Sequence, residues 1–185
     1  MNTDEQTKLL RWARAAIEQA VRGEPVGPIA QTELTENLCA PQAAFVTLKK
    51  HGELRGCIGQ MDFHRPLWEN VRAAAVAAAM EDSRFSPVQS AELPELRLAI
   101  SVLEPPVSLT RLDDFDPQRH GIIVQKGMRR ALLLPKVAQE YGWDAAQVLE
   151  CACRKAGLPG EAWRGPGMTF QVFTAVDFGE AKSED

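Results

Sequence analysis

The chain has 185 residues, 25 acidic against 21 Lys and Arg, and a formal charge of −4, with 45% hydrophobic and 25% charged residues. That balance disfavours sequence-independent binding to nucleic acid or anionic membrane, and the apolar content excludes a disordered chain. The apolar stretches 73–80 and 131–135 fall short of the ~20 residues of a membrane span, and the first residues lack the pattern of a signal peptide. The expected location is cytoplasmic, with Cys39, Cys57, Cys151 and Cys153 reduced.

Leu9, Leu10, Ala13, Ala16, Ile17, Ala20 and Val21 form a helical stripe over residues 3–22, with Thr3 and Gln6 as a capping box and Gly23 as the stop. A Gly- and Pro-rich connector over 23–28 precedes a short helical piece around 31–38. From Ala43 the period becomes two. Ala44, Val46 and Leu48 alternate with Phe45, Thr47 and Lys49, then Leu54, Gly56 and Ile58 with Arg55, Cys57 and Gly59. The pattern predicts a hairpin with Leu48 opposite Leu54 and a three-residue loop Lys50-His51-Gly52. In that register Arg55 and Cys57 share the face of Phe45 and Thr47, away from the apolar layer.

Pro66 opens an alanine-rich helix running to Glu81, whose alanines suit close packing on a sheet. A loop over 81–87 and a strand over 96–103 follow. Residues 121–125 and 130–134 predict a second hairpin turning at Lys126-Gly127. Pro135 starts a helix closed by Gly142, and Asp144 with Gln147 caps another that stops at Gly157, with Cys153 on its apolar face and Cys151 off it. Residues 170–178 alternate as one strand before a charged tail at 180–185. Strands grouped in hairpins with helices between the groups predict an α+β fold with a largely antiparallel sheet.

The segment Leu54-Arg55-Gly56-Cys57-Ile58-Gly59 is the most unusual in the chain. Two glycines inside a strand mark a bulge, a bend or a close approach of backbone or ligand. Between them stands Cys57, and the Arg55 guanidinium on the thiol's face would favour the nucleophilic thiolate; the competing reading is a cysteine that merely fills the core. His51, His64 and His120 share no ligand spacing with one another or with the cysteines, so no metal site is expected. The chain carries neither phosphate-loop nor dinucleotide glycine pattern. No cofactor is expected.

Residues 44–48 through 54–59 resemble the signature of the AMMECR domain family, the group called AmmeMemoRadiSam system protein A. The resemblance continues through Asp82-Ser83-Arg84-Phe85 and Pro87-Val88, Ser101-Val102-Leu103, His120-Gly121-Ile122, Leu132–Ala138, Cys153–Leu158 and Trp163, nearly the full chain. Ala44, Ser83 and Lys136 stand where members of that family commonly have Gly, Pro and Gln. The resemblance implies a single AMMECR-like domain over 1–185 with two unequal lobes around a cleft, and an association with a Memo-like protein and a radical S-adenosylmethionine protein. It implies no defined reaction. Cys57 and Arg55 are the expected catalytic pair, nucleophile and anion clamp; Gly56, Gly59, Asp82, Arg84, Ser101 and His120 are the expected substrate contacts. The alternative is a non-catalytic adaptor for the same partners.

Overall fold

A computed structural model describes residues 1–181. The chain divides into two units, Met1–Val102 with the segment from Val176, and Leu103–Ala175. The elements are α1 (Thr3–Val21), α2 (Glu36–Cys39), β1 (Ala43–Lys50), β2 (Glu53–Gln60), α3 (Leu67–Met80), β3 (Leu96–Leu103), β4 (Val107–Ser108), β5 (Gly121–Lys126), β6 (Arg129–Leu133), α4 (Pro135–Tyr141), α5 (Ala145–Lys155), β7 (Thr169–Phe173) and β8 (Ala175–Gly179). They form an α+β fold with two four-stranded sheets, ordered β2-β1-β3-β8 and β4-β7-β5-β6.

In the first unit, α1 buries Leu9, Ala13, Ala16 and Ile17 of the predicted stripe together with Trp12, while Leu10, Ala20 and Val21 are half-buried. Its cap lies one residue earlier than expected. Asn2 Oδ1 accepts from Glu5 N at 2.9 Å, and Glu5 Oε2 accepts from Asn2 N at 3.0 Å. Asn2–Glu5 and Thr3–Gln6 both have capping-box spacing, but Glu5 is 2% exposed and gains a hydrogen bond from Thr35 Oγ1 at 2.6 Å. A buried carboxylate satisfied on both oxygens decides the register. The piece around 31–38 divides into a 3-10 turn, Gln31–Glu33, and α2, which Thr35 caps. The alanines of α3 do pack into a sheet core, Ala74, Ala75 and Ala78 joining Val46, Leu48, Leu98 and Ile100.

The β1–β2 register differs from the expected one. Leu48 pairs with Gly56 and Lys49 with Leu54, leaving Arg55 as the extra residue of a bulge. His51 and Gly52 form the turn between the strands, both with positive φ, 52° and 84°, the conformation that a two-residue hairpin matched to strand twist requires. The bulge sends Leu54 to solvent, 42% exposed, instead of into the apolar layer.

The second unit has its own core, built from Ile122, Val124, Leu133, Val148, Leu149, Ala152 and Val172. The β5–β6 turn is Gly127-Met128, one residue later than expected, with Gly127 at φ 58°. The caps of α5 and the burial of Cys153 follow the sequence pattern. The strand expected over 170–178 breaks at Thr174, so β7 joins one sheet and β8 the other. Of the expected tail, Glu180 receives two hydrogen bonds from Arg14, each at 2.6 Å; residues 182–185 lie outside the described residues.

Candidate functional site around Cys57

Cys57 sits on β2 at the edge of its sheet, opposite Thr47. Its half-buried Sγ lies 3.3 Å from Thr47 Oγ1. An edge strand leaves alternate N–H and C=O groups without a ladder partner, and here side chains supply both partners. Cys57 N donates to Asp82 Oδ2 at 2.8 Å, and Arg84 Nη2 donates to Cys57 O at 3.2 Å. Asp82 and Arg84 are joined by three further bonds, two from the guanidinium at 2.7 and 2.9 Å and one from the Arg84 N at 3.2 Å. This Asp-x-Arg turn, just beyond α3, therefore acts as a one-residue substitute for a neighbouring strand. Arg84's hydrogen bonding, helped by the N–H of Cys57, holds the buried Asp82 carboxyl well below the usual carboxylate range.

Arg55 is engaged elsewhere. Its Nε and Nη2 donate to the two oxygens of Glu92, both at 2.9 Å, with the side chains 15% and 18% exposed. Arg55 brings the Glu92 carboxyl down to about 2. Thus the arginine expected to assist the thiol is neutralised by a carboxylate, and the guanidinium that reaches the Cys57 peptide belongs to Arg84. Phe85 lies within cation–π range of both, 5.9 Å from Arg55 Cζ and 5.5 Å from Arg84 Cζ. Arg55→Ala is expected to destabilise the first unit by about 2 kcal/mol, because it leaves Glu92 without its main partner. Urea denaturation checks this, and an unchanged midpoint would show that the pair contributes nothing.

The two glycines are accounted for by close packing. A Cβ on Gly56 would lie 2.1 Å from the carbonyl oxygen of Ala78 in α3, and one on Gly59 would lie 2.3 Å from the Phe45 ring. Ser101 is 1% exposed on β3 and hydrogen-bonds to Asp177 on β8. His120 belongs to the second unit, where its Nδ1 accepts from Asp116 N at 3.3 Å. The structure thus gathers Cys57, Arg55, Asp82 and Arg84 about one stretch of β2. Sequence reasoning missed Glu92 and Asp177, and the one signal for Glu92 was its place three residues after Gln89, whose N donates to it at 3.0 Å.

A half-buried thiol beside a hydroxyl, with a guanidinium 55% exposed nearby, is the candidate site on the edge of this α+β sheet. The AMMECR1 family model matches residues 10–178, and the chain belongs to that family. Protein MK0488 of Methanopyrus kandleri is 39% identical, over 100% of this chain and 92% of its own length. Protein TK0174 of Thermococcus kodakarensis is 40% identical, over 93% of this chain and 88% of its own. The crystal structure of uncharacterized protein PH0010 from Pyrococcus horikoshii superposes with a TM-score of 0.87 at 37% identity, covering 94% of this chain and 90% of that one.

Proposed function

We propose that this protein is a substrate-handling or catalytic component of a modification system whose other members are a Memo-like protein and a radical S-adenosylmethionine protein. In this reading Cys57 is the nucleophile or the point of covalent attachment, in a cleft that admits the substrate. Support comes from the clamp on Cys57: its N–H and C=O are held by Asp82 and Arg84 while its sulfur stays half-exposed beside Thr47. Fixing the backbone on both sides orients a reacting atom more tightly than a strand edge alone would. Arg84, also paired with a carboxylate but 55% exposed against 15% for Arg55, is the better placed anion contact, and Asp82 positions both Arg84 and Cys57. Gly56 and Gly59 let α3 and Phe45 approach, and Ser101, 1% exposed and bonded to Asp177, supports the sheet rather than touching substrate.

Brief iodoacetamide treatment of the folded protein at neutral pH tests the thiol. Cys57 is expected to alkylate faster than Cys39, although Cys39 is the more exposed, and Cys153 last, because burial both shields its thiol and pushes its pKa up. Faster modification of Cys39 would count against an activated Cys57. Cys57→Ser then separates enzyme from adaptor. The proposal expects lost activity in complementation while the two partners are still pulled down; full activity with intact binding would leave the hexapeptide a packing motif.

A further inference from the structure

Away from Cys57, a groove of about 500 Å³ runs along the outer side of α3. Its size falls within the range of small-molecule sites, roughly 300–1,000 Å³. Val26, Trp68, Ala73 and Val76 supply apolar walls and Gln60 a neutral polar group, all within the first unit. The remaining lining is charged and unevenly compensated. Arg65 Nε bonds Glu69 Oε2 at 3.0 Å. Arg72 has no such partner: its Nη2 donates to the carbonyl of Gly27, its Cζ lies 5.7 Å over the Trp68 ring, and among the described residues it is in no ion pair. Glu69, three residues before it, attracts Arg72 without forming an ion pair with it and is bonded to Arg65, while Glu81 follows by nine residues, about 13 Å along the helix axis. Arg72 is also half-buried, and loss of solvent around it lowers its pKa. A partly desolvated cation that no carboxylate touches among the described residues gains from an anionic ligand.

We propose that this groove is a binding site for a small organic anion, its carboxylate, phosphate or sulfonate group on Arg72 and its apolar body against Trp68, Ala73 and Val76. The apolar walls favour an amphiphilic anion over an inorganic one, which would leave them in water.

The probe is 1-anilinonaphthalene-8-sulfonate, titrated by fluorescence against the folded full chain at neutral pH, with uncharged N-phenyl-1-naphthylamine as comparator. Saturable one-to-one binding of the sulfonate is expected, weakened roughly tenfold by Arg72→Met, a change on the scale of one charge-assisted hydrogen bond. The uncharged probe should change by less than about twofold, since only the anion contact is removed. Val76→Glu, which places a carboxylate in the apolar wall and leaves Arg72 untouched, is expected to weaken the sulfonate to a similar degree. This second variant carries the test if Arg72→Met fails to fold. Absence of saturable binding to the wild-type chain, or sulfonate affinity unchanged in a folded variant, would overturn the inference.

Discussion

Gly56→Ala is expected to destabilise the first unit by about 3 kcal/mol, the upper part of the range for overpacking a core. The added methyl would stand 2.1 Å from Ala78 O and 3.1 Å from Ala78 C, both backbone atoms of α3. A helix backbone cannot rotate out of the way. Relief requires β2 and α3 to move apart, which opens the Ala74, Ala75 and Ala78 contacts that the alanine-rich helix was suited to make. The nearest atoms to a methyl in Gly59→Ala belong to the Phe45 ring, at 2.3 Å, and a side chain can turn aside, so its cost is smaller. Gly127→Ala meets no atom within 4 Å and disturbs only a turn with φ 58°, for about 1 kcal/mol. Urea denaturation of the three variants gives the comparison. If Gly56→Ala unfolds at the wild-type midpoint, close packing is not why glycine stands there.

The ranking shows what the sequence could and could not convey. Two glycines inside a strand signalled a bulge or close approach, and both occur: Arg55 is the bulged residue and Gly56 touches α3. The register was misjudged because strict alternation matched Leu54 to Leu48, whereas the bulge inserts one residue and turns Leu54 outward. Helix stripes and caps were legible since their partners lie three or four residues away. Even there, the choice between Asn2 and Thr3 depended on Thr35, some thirty residues distant. The site was legible in its residues more than in its pairings. Arg55 and Cys57 were singled out as partners by spacing along one strand, yet Glu92 takes the first, and Asp82 with Arg84 the backbone of the second. Those pairings cross 25 to 37 positions, and local periodicity carries no information at that range. The break at Thr174 was hidden for a similar reason: alternation continues through it while the pairing partner changes.

Asp82→Asn is expected to cost about 2–3 kcal/mol near neutral pH, as removal of a buried hydrogen-bonded charge does. The carboxylate is 4% exposed and accepts from Cys57 N, Arg84 Nε and Arg84 Nη2. The Arg84 backbone N–H donates as well, at 3.2 Å, and an amide presents one acceptor and one donor to these four donors, so at least one contact becomes donor against donor. Arg84 is 55% exposed and regains water, which keeps the loss below that of a fully buried pair. The pH dependence follows from the depressed carboxyl of Asp82, held down first by Arg84. The unfolded chain takes up this proton near pH ~3.9, the folded chain only at lower pH. The stabilisation is therefore fully present above the unfolded pKa and is lost as pH falls toward the folded one. The wild-type advantage over Asp82→Asn should be constant from pH 7 to about 5 and shrink below about 4. Glu92 titrates alike in both proteins and cancels in the difference. Urea denaturation at these pH values, with hydrogen exchange at the Cys57 amide, tests both halves of the argument. Loss of amide protection with a stability gap that narrows in acid is the expected result. A gap that stays constant down to pH 3, or a Cys57 amide as protected in the variant as in the wild type, would show that Asp82 does not hold this strand edge.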